Sequence, residues 1–325
     1  MIKLFTSYRF LHISLLLAVM KSLPVFVSAQ TCCSGGVNLA GNVGGLQQAE
    51  KGLFQFSLSF DGNFLNTLKD GNNNIQDHSR ERITYTTLFK AAYSFNERLS
   101  VEALLSFVNQ RRIINQAEFH DFTSTLGMGD AIILAHYNYF IDQSLTLGFG
   151  AGPKIPTGPS DLKNQQGFII NADMQPGSGA WDFFLYHHAS WGLPFRPNAT
   201  INLSAIFRIS GENSSYLVTQ TYKAGDEFQI ITGWSEQNTI VNQVISYGMH
   251  IRYRNAKKDI NNGSIANNTG GNWVFITPSF SWFFSPAISV FANTELPVFS
   301  KVGGTQLTPD FRFNAGLLYT VNRNK

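Results

Sequence analysis

His188 and Ser190, in the run "HHAS", lie two residues apart, so on a strand their side chains share one face. A general base and a nucleophile need that placement, but they also need a third group to orient the base, and Trp191 follows instead. Glu118, His120 and Asp121 are metal-ligand types without a recognisable ligand spacing, so they read as a solvated loop. The glycine-rich runs "GMGD" (127–130) and "GAGPKIPTGPSD" (150–161) superficially suggest phosphate loops. Neither opens a helical pattern, and no Gly-Lys-Ser/Thr follows, so nucleotide binding is not expected. Cys32 and Cys33 are adjacent and cannot make a disulfide framework or a complete metal site. No cofactor, no metal and no catalytic set is expected.

The elements that carry these residues are strands. Only 14% of the chain is charged, against about 25% in an average soluble domain. It holds 28 Phe, 11 Tyr and 5 Trp, which disorder would not allow. Period-2 alternation dominates from residue 52 onward: Tyr85, Thr87, Phe89, Ala91, Tyr93 and Phe95 share one face, and so do Ile201, Leu203, Ala205, Phe207 and Ile209. Twelve strands are expected, at about 52–60, 81–95, 97–109, 127–140, 143–156, 179–190, 197–211, 226–234, 239–254, 272–284, 287–299 and 310–321. Short turns are placed at 96–97, 141–143, 192–196, 235–238 and 285–286. Longer polar stretches are placed at 61–80, 110–126, 157–178, 212–225, 255–271 and 300–309.

An even count of long strands with alternating short and long connections is the pattern of an all-β, antiparallel up-and-down transmembrane barrel in a bacterial outer membrane. On one strand face Trp181 and Trp191 stand ten residues apart, which at a tilt near 40° spans roughly 25 Å, the height of an outer-membrane apolar band. A β-sandwich is the alternative, but its outer faces would have to be polar. His187 is the misfit on the lipid-facing side.

Residues 1–29 read as a cleaved signal peptide: Lys3 and Arg9, then apolar Leu11 to Met20, then Val27-Ser28-Ala29 before Gln30. Its removal takes Lys3, Arg9 and Lys21 from 24 basic residues and no acid, leaving 21 of each sign and no basis for nucleic-acid binding. Residues 30–51 form a glycine-rich tail or plug, and 52–325 the barrel.

If one face meets lipid, the other lines the lumen. That face carries Lys90, Glu102, Asp130, His136, Lys154, Asp182, His188, Arg208, His250, Arg252, Glu295 and Arg312. Mixed signs point to ion pairs across the barrel rather than a single-sign filter. Leu88, Leu104, Ile132, Leu134, Phe184, Tyr186, Phe291 and Leu318 are interleaved, as they would be in a passage for partly apolar solutes or in a structural core. His188 and Ser190 point inward, away from acyl chains.

The segments "GMGD" (127–130), "KIPTG" (154–158), "QPGSGAWD" (175–182), "YKAGDEF" (222–228) and "GGTQL" (303–307), in that order, resemble outer-membrane proteins of the "meta-pathway of phenol degradation" group, distant relatives of long-chain fatty acid transporters. The start "TCCSGG" is similar to Bacteroidetes-type members. The resemblance implies a channel for passive uptake of small hydrophobic or aromatic compounds, with outer-membrane lipid and the outer-membrane assembly machinery as its surroundings. Twelve strands fall short of the fourteen of the fatty acid transporters, which weighs against a lateral gate. A non-transporting structural or adhesive barrel using loops 157–178 and 255–271 is the second reading. A lipid hydrolase is the third, since His-x-Ser resembles the His-x-Ser-Asn element of outer-membrane phospholipases and lipid A deacylases, with Trp191 at the Asn place.

Overall fold

The structure, a computed structural model, describes residues 50–116 and 119–322. The expected signal peptide, Cys32, Cys33, Glu118 and all but the last two residues of the segment 30–51 lie outside the described residues. Twelve long strands are described: β1 (Leu53–Asp70), β2 (Arg80–Ser94), β3 (Leu99–Gln116), β4 (Phe119–Met128, continuing as Ala131–Ile141), β5 (Leu145–Ile155), β6 (Asp182–Leu193), β7 (Arg196–Ile209), β8 (Glu227–Ile240), β9 (Gln243–Ala256), β10 (Gly271–Phe283), β11 (Ile288–Val302) and β12 (Thr305–Asn322). Each pairs antiparallel with the next, and β12 returns to pair with β1 from Leu53–Asn322 to Asp70–Thr305. The sheet is therefore a closed barrel.

Closure removes the edges, so the backbone satisfies itself and the two faces can differ completely. Phe60, Phe89, Leu105, Ile133, Phe149, Leu185, Leu203, Ile251 and Leu317 are all exposed on the outside, while their strand neighbours Ser59, Lys90, Leu104, Leu134, Phe184, Ser204 and Arg252 are buried inside. Moving one such outer side chain from water into hydrocarbon is worth about 1.5–3 kcal/mol. A belt of them holds the barrel in the outer membrane. Trp181 and Trp191 are both exposed, at the two ends of β6. His187 is accommodated on this face by the Tyr139 hydroxyl, 3.0 Å from its Nε2.

The strand ends differ from the sequence expectation. β1 runs on to Asp70, β3 and β4 continue to Gln116 and back from Phe119, and β11 and β12 turn at Gly303-Gly304. Stretches 61–80, 110–126 and 300–309 are therefore largely strand. Their polarity marks where strands rise beyond the lipid, not where they stop. The turn expected at Ser235–Asn238 lies instead at Val241-Asn242, between Ile240 and Gln243, which pair. Glu236 looked like turn material but lies within β8, on the outward face with Trp234 and opposite Tyr247, where it is 2.8 Å from Arg196 Nη2. The long connections sit at one end; two of them contribute short strands 212–216, 220–223, 260–261 and 264–265 to a small separate sheet.

Candidate functional site

Three sequence segments converge on Asp130, which follows the break in β4. Its Oδ2 accepts from Lys154 Nζ (2.8 Å), Ser178 Oγ (2.7 Å) and Ser178 N–H (2.9 Å), and its Oδ1 from Gly158 N–H (3.2 Å). Lys154 also reaches Asp182 Oδ2 at 2.9 Å, and Asp182 Oδ1 accepts from Gly211 N–H at 3.0 Å. The loop chains pack tightly at this hub: a Cβ on Gly177 would collide with the Gly158 carbonyl oxygen. The hub directs the β5–β6 connection into the barrel, where Asp173 and Met174 of the turn Ala172–Met174 are buried. Arg82 Nη1 donates to Asp173 Oδ2 (3.0 Å), and Arg82 Nη2 donates to the Asp173 carbonyl and to Gln110. Thr125 Oγ1 donates to the Met174 carbonyl at 2.6 Å.

The opposite wall is built of arginines. Arg252 pairs with Glu295 (2.7 Å), Arg254 with Glu227 (2.6 Å) and Arg312 with Asp61 (2.8 Å), while Arg208 lies 3.9 Å from Glu227. Arg252 lies over Phe275 (4.3 Å to the ring centre) and Arg254 over Trp273 (4.8 Å). Behind them Leu65, Leu68, Trp273, Phe275, Val302 and Leu307 form an apolar core. Between hub and wall is a cavity of about 220 Å³, with Ile132, Phe184 and Phe275 among its apolar lining.

Below the cavity the lumen is packed. Leu88, Leu104, Ile132, Leu134, Phe184, Ile206 and Ile231 form one buried cluster across six strands, with Tyr186 against it. Beneath it lies a polar layer. Lys90 is buried, His136 Nε2 stands 3.2 Å from Glu102 Oε1, and Tyr186 stacks on His188 at 5.3 Å. His250 and Phe291 are half-buried on the inner face of β9 and β11.

Among the described residues the longest interruption of the wall lies between β11 and β12. β11 and β12 pair from Ile288–Tyr319 to Glu295–Arg312 and no further. Above that rung β11 pairs with β10 and β12 with β1, and the gap is closed at its top where Val302 N–H donates to the Gly71 carbonyl (3.1 Å). Exposed Leu296, Val298, Phe299 and Phe311 flank this seam, and Glu295, Arg312 and Pro309 line both its sill and the cavity.

The inward residues named from the sequence thus fall into two groups. Asp182, Phe184, Arg208, Arg252, Glu295 and Arg312 meet at the cavity; Lys90, Glu102, His136, Tyr186 and His188 meet in the layer below, and Phe291 lies apart on β11. Parity alone found them. It missed Asp61, Glu227 and Arg254, which lay at the ends of expected strands or outside them, and Arg82, Gln110 and Asp173, whose meeting depends on a loop folding inward. At the tip of β3 and β4 His120 meets its cross-strand partner Asn115 at 3.3 Å, and Asp121 reaches diagonally to Arg112 at 3.4 Å. Among the described residues no three His, Cys, Asp or Glu side chains are grouped to hold a metal ion.

A closed twelve-stranded barrel with an apolar belt and an ion-paired interior is an outer-membrane barrel. The family model described as "Putative MetA-pathway of phenol degradation" matches residues 66–301, and the chain belongs to that family. Among solved structures, an outer-membrane channel from Pseudomonas putida F1 is similar at 13% identity and a TM-score of 0.68, over 85% of this chain and 98% of that one. The translocator domain of the autotransporter NalP from Neisseria meningitidis is similar at 9% identity and a TM-score of 0.51, over 86% of this chain and 92% of that one. A search of curated protein sequences found no match.

Proposed function

We propose that this barrel is a passive channel for small apolar or aromatic compounds, which enter the outer cavity and leave sideways through the seam between β11 and β12. The seam carries the reading and turns it toward a lateral exit, which the strand count alone weighed against. The lumen below the cavity is filled by side chains, while the cavity reaches the longest stretch of wall, among the described residues, in which two neighbouring strands do not pair. An apolar solute gains about 25 cal/mol for each Å² it removes from water, so passage from cavity to bilayer is downhill without a cofactor or an energy source. Family membership and the Pseudomonas putida F1 channel of the same fold support transport over hydrolysis.

The test is a reversible staple. Leu296→Cys and Phe311→Cys, in a chain with Cys32 and Cys33 changed to Ser, are bridged in cells by a bis-methanethiosulfonate, which forms a reducible disulfide with each thiol and releases methanesulfinate, and initial uptake of radiolabelled toluene is measured. Uptake should fall at least fivefold on bridging and return on reduction. Unchanged uptake after bridging would overturn the lateral route. Wild-type uptake no faster than in cells lacking the protein would overturn the channel itself and favour the non-transporting barrel.

A further inference from the structure

The outer rim of β8 to β11 carries a cluster of lysines directly above the lipid-facing belt. Lys257, Lys258 and Lys301 are exposed there. Lys301 follows exposed Phe299 by two residues on β11, and Lys257 follows exposed Tyr253 by four on β9. Register places them close together: Asn255 is opposite Asn272 on β10, and Asn272 is opposite Lys301. Two strand spacings are about 10 Å.

Charge here is not balanced. Asp226 takes Lys257 at 3.0 Å, and Lys223 stands opposite Glu212 in the small loop sheet. Neither Lys258 nor Lys301 has an acidic partner among the described residues. Glu227 faces inward toward Arg254, and Asp259 is buried against the Tyr222 hydroxyl (2.5 Å) and Gly225 N–H (2.8 Å). Beside the amines is a polar surface: Asn272 Oδ1 accepts from the Tyr253 hydroxyl (2.9 Å) and from Asn255 Nδ2 (2.7 Å), all on the outward face.

We propose that this rim is a binding site for a phosphorylated glycolipid of the outer leaflet, with Lys258 and Lys301 taking phosphate and the Tyr253–Asn255–Asn272 surface meeting sugar hydroxyls. The position selects the occupant. A headgroup held at Lys301 places its acyl chains along Val298 and Phe299, on the outer flank of the seam. A free phosphate would gain nothing from that belt, and a phospholipid headgroup would leave the amide surface unused. Lys257 contributes less because Asp226 remains ionised beside it. Burial opposes the charge on Asp226, but the hydrogen bond from Lys257 and the Ser210 N–H hold its carboxyl below the usual range. The site stands whether or not solute passes through the barrel.

The test uses the full mature chain in detergent, folded by the criterion of a heat-shifted gel band, with lipid binding read by native mass spectrometry. Diphosphoryl lipid A should bind at least tenfold more tightly than its dephosphorylated form and than phosphatidylglycerol. Lys258→Gln with Lys301→Gln should abolish that preference, and Asp226→Asn should strengthen binding severalfold by releasing Lys257. Lys163→Gln, exposed in the β5–β6 connection, is the control. Equal binding of the three lipids by the wild-type chain overturns the proposal without any variant. A preference that survives the double substitution places the lipid elsewhere and overturns it as well.

Discussion

Lys154 holds two buried carboxylates together at the hub, and its removal leaves them facing each other. Breaking a buried pair by removing one partner costs about 3–5 kcal/mol. Lys154→Met should therefore lower the temperature at which the barrel band shifts on a gel, and Asp130→Asn, which leaves Lys154 its second partner Asp182, should lower it less. Gly177→Ala should act on the same hub by steric means, since its methyl would meet the Gly158 carbonyl. Much of this was visible in the sequence. Asp130, Lys154 and Asp182 occupy inward positions by strand parity, and the segments that carry the family resemblance contain them. The resemblance therefore lies mainly in loop-to-wall contacts. Arg82 and Asp173 were not visible, because no periodicity relates a strand residue to a loop 91 positions away that folds into the lumen.

At the level of elements, strand number and facing were legible while strand ends were not. Alternation of apolar residues reports only the part of a strand with lipid on one side; above it both faces meet polar surroundings, and β1, β3 and β11 continue without that signal. The Val241-Asn242 turn is instructive in the opposite sense. Both residues have positive φ, 49° and 63°, a conformation unfavourable for β-branched valine. Nothing in "IVNQ" announces it as clearly as Asn-Gly would. Val241→Asn with Asn242→Gly should stabilise the hairpin by about 1 kcal/mol, seen as a higher urea midpoint for unfolding in detergent. The inward loop offers another test. Arg82→Gln removes the ion pair to Asp173 and should loosen the Ala172–Met174 turn from the wall, raising mean single-channel conductance and its fluctuation in a planar bilayer.

Taken whole, the barrel is open to polar solutes only as far as the apolar cluster allows. Leu104→Ala with Ile132→Ala takes bulk from the centre of that cluster. The double variant should admit an axial ion current several times that of the wild type, measured in the same bilayers, and should leave lateral toluene uptake largely intact. Equal changes in both would mean that ions and apolar solutes share one path. The sequence showed mixed apolar and charged residues on the inner face but not how they sort by height. That sorting follows from barrel shear, which offsets each strand's register from its neighbour's and is set by turns the pattern placed imperfectly.

The longest ladder in the barrel joins its first strand to its last. On a ribosome these are the earliest and latest parts of the barrel to appear, so the ring cannot close before translation ends. Until then Leu53–Asp70 is a long unpaired edge, offered to any other chain. Contacts this distant in sequence also form slowly. A product cut short before residue 305 lacks the strand that closes the ring, and it leaves the outer edge of Leu53–Asp70 without its partner.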